Sequence, residues 1–136
     1  MKLIISIIRP EKLPDVKQSL LSDKIHMATV IDVRGCGQQK GYMEEYRGIV
    51  EEVNLHRKVM VIIAVNESYV DKTVKSIIKG ARTNGGDVGD GKIFILDLFD
   101  CIRIRTGEKG VAAIGGPSEE LDKLKKSGKI EQVVIK

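Results

Sequence analysis

The sequence predicts an α+β fold in which two helices cover one face of an antiparallel sheet. Three observations point to it. Runs rich in β-branched residues mark strands at Leu3–Ile8, Thr29–Val33, Val59–Val65 and within 92–105. Two stretches with apolar residues at helical spacing lie between the first and second runs and between the third and fourth. The order strand–helix–strand–strand–helix–strand is the split βαβ, or ferredoxin-like, arrangement.

Each element follows from its residues. Leu3 to Ile8, "LIISII", reads as a strand buried on both faces. Pro10 and Pro14 then open a helix, since a fixed φ suits the first turn, and Asp15 complements its positive end. Leu13, Val16, Leu20 and Leu21 give that helix its apolar face. Thr29 to Val33 supplies the second strand, and "VMVIIAV" at 59–65 the third. Asn66 is placed to cap a second helix, with Val70, Val74, Ile77, Ile78 and Ala81 as its buried stripe and Gly80 as the start of its unravelling. "KIFILDLFDCIRIR" at 92–105 forms one or two strands, and a period of two puts Arg103 and Arg105 on one face. The stretch from Gly35 to Arg57 shows no clear apolar period and reads as a long loop, a length that is usually functional. In the tail from Gly115, Ser118 is a candidate cap for a short helix carrying Leu121 and Leu124. Ile130, Val133 and Ile135 suit a last strand.

The 136 residues make one domain of ordinary size, with a hydrophobic and charged content usual for a globular chain. The longest apolar run is far too short to span a membrane and no signal peptide is visible, so a cytoplasmic protein without membrane insertion is expected. The formal net charge of +4 is mild. The densest basic patch, Lys123 to Lys129, is interleaved with Ser and Gly and reads as a solvated face. Cys36 and Cys101 stand alone, and His26 and His56 are far apart in sequence, which argues against a clustered metal site and a disulfide framework.

The chemistry concentrates in "TNGGDVGDGKIF", residues 83–94. Gly86 to Lys92 fits the first seven places of the P-loop pattern G-x-x-x-x-G-K, but Ile93 stands where a Ser or Thr hydroxyl would hold magnesium. The loop also leaves a helix and opens a strand, the reverse of a P-loop, so the helix dipole there has the wrong sign for an anion. An anion at this loop must be held by backbone amides and by cations such as Lys92. The glycines of "RGCGQQKGY", at 35, 37 and 41, have the wrong spacing for a dinucleotide fingerprint.

Three segments together resemble the PII signal-transduction family of nitrogen and energy sensors: "QQKGYMEEYRG" at 38–48, "GDGKIF" at 89–94 and "IRIRTGE" at 102–108. The first looks like the start of that family's T-loop, here about 36–57. The resemblance covers roughly residues 1–114, with a nucleotide loop at 83–92 and a C-terminal extension at 115–136. It implies a homotrimer with ATP or ADP in the clefts between subunits. By the same match Thr29 sits near the base, and Gly35, Gly37, Gln38 and Gln39 line the phosphate side. Val88, Gly89, Asp90, Gly91, Lys92, Arg103 and Arg105 hold the phosphates. Gln39 matches a position that supports magnesium, and Gln39, Lys40 and Lys58 keep 2-oxoglutarate sensing open. The T-loop residues Tyr42, Tyr46, Arg47 and Glu51 would face a regulated partner, a membrane transporter such as an ammonium transporter or a metabolic enzyme.

Departures from the family pattern are equally specific. Five residues separate Thr83 from Gly89, where the family usually has three, so discrimination between ATP and ADP is open. Gln38 replaces an arginine common in the family, removing a cation from the phosphate side. Glu51 stands where the family's uridylylated tyrosine would be, so that modification is not expected here.

Two other function classes compete. A slow nucleotide hydrolase using the same site needs a base or water-positioning group, for which Asp87 or Asp90 is the candidate. An RNA-binding module shares the βαββαβ order but needs exposed aromatics on its central strands. "KVMVIIAV" has none, and no nucleic-acid partner is expected.

Overall fold

The structure, a computed structural model, describes residues 1–37, 42–46, 49–53 and 55–115, with 42–46 and 49–53 described as backbone alone. Its elements in chain order are β1 (Lys2–Ile8), α1 (Leu13–Ser22), β2 (Thr29–Gly35), β3 (Tyr42–Tyr46), β4 (Ile49–Val53), β5 (His56–Val65), α2 (Val70–Ala81), β6 (Lys92–Asp97) and the short α3 (Val111–Ile114). Four strands form an antiparallel sheet in the order β2-β5-β1-β6, the ferredoxin-like topology the sequence predicts.

The core lies between this sheet and the two long helices. Ile4, Ile8, Val59, Val61, Ile63 and Val65 point from alternate positions of β1 and β5 onto Val16, Leu20, Ile77 and Ala81. Isoleucine and valine suit these positions because branched side chains fill the space above a pleated surface while losing little rotamer freedom. Truncating a fully buried member such as Ile4 or Ile63 costs about 2–5 kcal/mol, since the cavity left behind does not close completely.

Several expectations need correction. β1 is not buried on both faces: Ile4, Ser6 and Ile8 are buried, while Leu3, Ile5 and Ile7 on the opposite face are only half covered. That second face is apolar along its length, continuing through Met60 and Ile62 of β5 to the exposed Ile31, Phe94 and Leu96. Leu21 is exposed rather than part of the α1 stripe. Asn66 precedes a 3-10 turn at Glu67–Tyr69, its side chain makes no capping bond, and α2 begins only at Val70.

Gly80 does not unravel α2. It is buried where α2 crosses α1, and a Cβ there would lie 2.6 Å from Val16 Cα and 2.7 Å from Val16 N. One turn earlier, the buried Ser19 and Ser76 hydroxyls share a hydrogen bond of 3.0 Å. Small residues let the two helices approach closely, which seats both on the same sheet face.

The stretch read as a loop between the second and third strands contains a hairpin. β3 and β4 pair antiparallel from Tyr42↔Val53 to Tyr46↔Ile49, and β2 and β5 extend beyond their expected ends to Gly35 and His56. The helix and strand expected in the tail lie outside the described residues.

Candidate functional site

The glycine-rich loop between α2 and β6 is organised around one carboxylate. Asp90 accepts the Thr83 and Asp87 amides on Oδ2, at 3.0 and 2.8 Å, and the Arg9 Nε–H on Oδ1 at 3.3 Å. Burial alone would push the Asp90 carboxyl up, but these donors outweigh it and hold the group well below the usual carboxylate range. Arg9 also donates through Nη2 to the Val88 carbonyl at 2.7 Å and lies 3.6 Å from Asp87 Oδ2. Lys58, from β5, donates to the Gly89 carbonyl at 2.9 Å. Burial, and next the neighbouring Arg9 cation, push the Lys58 ammonium below its ordinary pKa. Asp87 and Asp90 beside these two cations offset their charge within the cluster.

Gly91 shows why this loop needs glycine at its exit. Its φ is +110°, and a Cβ there would fall on the Ile7 carbonyl oxygen of β1. The loop therefore presses directly on the sheet edge, and Lys92 follows at once as the first residue of β6, opposite Ile7. Val88 and Lys92 are exposed, and Gly89 is half buried with φ +97°. Gly35 reaches the same end of the sheet, where a Cβ would lie 3.9 Å from Lys58 Cγ, and Gly37 stands in open space.

Arg103 and Arg105 follow β6 at the other end, and Thr29 opens β2 opposite Ile62, level with Ile5 in the middle of the sheet. β2 carries Thr29 at one end and Gly35 at the other, about 20 Å apart at roughly 3.3 Å per residue. Arg103 and Arg105 do not share a strand face, which corrects the period-two reading. After β6, Ile102 makes a single bridge to Lys109 and the chain turns at 104–106, with the Gly107 amide on the Arg103 carbonyl at 2.7 Å. Arg103 folds back to donate to the Ala112 and Ala113 carbonyls at 3.2 and 3.3 Å and pairs with Glu108 at 3.5 Å, while Arg105 is exposed. The reason is local: Thr106-Gly107 favours a tight turn, and α3 offers Arg103 open C-terminal carbonyls.

A cleft of about 190 Å³ opens at this second end, lined by Met27, Ala64, Asn66, Tyr69, Ile114 and Gly115. That is below the roughly 300 Å³ at which small-molecule clefts usually begin. The predicted nucleotide residues thus fall into separate groups on one sheet. Gly35, Gly37, Lys58 and Val88 to Lys92 lie at one end, Arg103 and Arg105 beyond the other, and Thr29 at mid-sheet on β2. Gln38, Gln39, Lys40 and Arg47 lie outside the described residues, and Tyr42, Tyr46 and Glu51 are placed on the β3–β4 hairpin by backbone alone. Among the described residues, no group of three or more His, Cys, Asp or Glu could hold a metal ion. Sequence reasoning missed Arg9: it sits 81 positions from Asp90, and no spacing rule links them.

Residues 1–108 match the family described as Nitrogen regulatory protein P-II. The chain belongs to the P-II family. It is 52% identical over 114 residues to Nitrogen regulatory protein P-II 1 of Methanothermobacter thermautotrophicus, covering 84% of this chain and 97% of that one. Nitrogen regulatory protein GlnK1 of Methanosarcina mazei is 46% identical with the same coverage. Nitrogen regulatory protein GlnK of Escherichia coli is 45% identical, covering 84% of this chain and all of its own. Among solved structures, Arabidopsis thaliana PII bound to citrate superposes with a TM-score of 0.67 at 35% identity, covering 83% of this chain and 88% of that one. P-II proteins are regulators rather than metabolic enzymes, and the chain is a signal-transduction protein of this kind. No helix among the described residues is long and apolar enough to cross a membrane.

Proposed function

We propose that this P-II protein is a cytoplasmic sensor that binds ATP or ADP between the subunits of a homotrimer and reports occupancy through its T-loop. The observation that carries the reading is the separation of these residue groups. One protomer cannot wrap a mononucleotide with residues at both ends of its own sheet. A neighbour that brings Thr29, Arg103 and Arg105 against the first protomer's 83–92 loop completes a site. The apolar face through Ile5, Ile7, Ile31, Ile62, Phe94 and Leu96 supports the same assembly, because a large exposed apolar surface on a regulator is stabilised by burial against its copies.

In such a site the Gly89–Lys92 backbone and Lys92, with Arg103 and Arg105 from the neighbour, neutralise the phosphates, and magnesium would accompany ATP through Gln39. Occupancy at Gly35 and Gly37 reaches the hairpin directly, since β2 leads into it and β5 leads out. The ligand acts by binding one T-loop state better than another, and a transporter or metabolic enzyme reads that state. Lys58, a cation beside the loop, supports the reading of a dicarboxylate such as 2-oxoglutarate, and the Arabidopsis relative carries citrate. The engagement of Asp87 and Asp90 by loop amides and Arg9 weighs against either as the base of a slow hydrolase.

Calorimetric titration with ATP, ADP and 2-oxoglutarate, the last with and without Mg-ATP, tests the reading together with the mass in solution. Nucleotide binding by a trimer is expected. A monomer that binds ATP as tightly as the assembly would overturn the shared site.

A further inference from the structure

We propose that Arg9, just beyond β1, is a positioning residue that holds the nucleotide loop in its anion-accepting shape. The inference rests on the nucleotide-binding reading above and adds a residue which that reading does not contain. The loop poses an electrostatic problem, for it must receive phosphates yet carries Asp87 and Asp90 within four positions. Arg9 resolves it by turning both acids and one carbonyl toward itself.

The geometry is a two-pronged clamp. Nε engages Asp90 Oδ1 at 3.3 Å while Nη2 takes the Val88 carbonyl at 2.7 Å and stands 3.6 Å from Asp87 Oδ2. Asp90 is fixed from its other side by the Thr83 and Asp87 amides. Both partners of the Arg9–Asp90 pair are only 17% exposed, so solvent competes weakly with it. A planar guanidinium holds both contacts in one fixed fork, whereas a lysine ammonium offers a single point charge without that geometry.

The consequence falls on the amides. All peptide bonds described are trans, and a trans peptide points its N–H opposite its C=O. The bond from Arg9 to the Val88 carbonyl therefore aims the Gly89 N–H away from Arg9. Lys58 on the Gly89 carbonyl fixes the next peptide too, but its Asp90 N–H is taken up within the loop by the Asp87 carbonyl at 3.2 Å. The carbonyls face the protein's cations, and the acids are consumed within the loop. What this leaves for an incoming phosphate is the Gly89 amide and Lys92.

The test titrates ADP and adenosine into the wild type, Arg9→Met, Arg9→Lys and Asp90→Asn. Arg9→Met is expected to weaken ADP about tenfold, the scale of a lost charge-assisted contact, with adenosine unchanged and Arg9→Lys in between. Asp90→Asn separates positioning from simple electrostatics, because removing a negative charge beside the phosphates would by itself tighten ADP. Weaker ADP binding in Asp90→Asn supports positioning. Tighter binding there, an Arg9→Met that binds ADP like the wild type, or adenosine falling in step with ADP overturns it. A wild type that binds no ADP fails the nucleotide reading and this inference together, whereas a binding wild type matched by Arg9→Met fails this inference alone.

Discussion

Gly80→Ala should destabilise the protein although it improves the helix. Within an isolated helix alanine is better than glycine by about 1 kcal/mol, so the α2 sequence alone predicts a gain. The tertiary structure reverses the sign. The new Cβ would lie 2.6 Å from Val16 Cα, 2.7 Å from Val16 N and 2.9 Å from the Asp15 carbonyl carbon. Carbon atoms are comfortable at roughly 3.5–4.0 Å, so α1 and α2 must part by about 1 Å at the crossing. Every obstructing atom is backbone, and no trimming of the Val16 side chain relieves the clash. Overpacking of this kind costs about 1–3 kcal/mol, and parting the helices also stretches the buried Ser19–Ser76 bond, worth about 1 kcal/mol. The net expectation is a loss of about 2 kcal/mol, seen as a fall of roughly 6–10 °C in Tm for a domain of this size. The assay is thermal and urea unfolding at one fixed protomer concentration, since assembly makes Tm concentration-dependent. A variant as stable as the wild type, or more stable, would refute the close-approach argument.

Three further outcomes are expected. Gly91→Ala places a Cβ on the Ile7 carbonyl at a φ of +110° and should displace the 83–92 loop, lowering both stability and ADP affinity; unchanged calorimetry would contradict the packing seen here. Asp90 has a folded pKa held below its ordinary value of 3.8, so it contributes stability that is present above that value and is lost as pH falls through the folded pKa. Asp90→Asn should accordingly be less stable at neutral pH and flatter below about pH 4, a difference read from urea midpoints across pH. Phe94→Asp puts a charge on the apolar outer face and should yield monomers in light scattering, whereas an intact trimer would place the assembly surface elsewhere.

Much of the fold was legible because its signals are local. The β-branched run at Leu3–Ile8 and the helical spacing of Val16, Leu20 and Ile77 are local signals, and the strand and the two helices they predict are present in the structure. The glycine-rich loop was legible as a loop too, since glycines at Gly89 and Gly91 are needed for positive φ. Expectations failed where a residue answers to something far along the chain. Gly80 read as a helix end because the reason for a glycine there is Val16 on another helix. Arg103 read as a strand residue because the carbonyls of Ala112 and Ala113 that capture it follow a turn. Asn66 read as a cap because a 3-10 turn before α2 is not written in any period.

By itself, then, the sequence determined the element order, the apolar faces, the glycine-rich loop and the family. These follow from periodicity and from motifs whose residues are neighbours in the chain. Only the tertiary structure decided that Arg9 clamps Asp90, that Gly80 sets the helix approach, and that the candidate site residues lie in separate places on the sheet. Those facts depend on which distant segments meet, and pairing across a sheet is set by the packing of the whole core rather than by any one stretch.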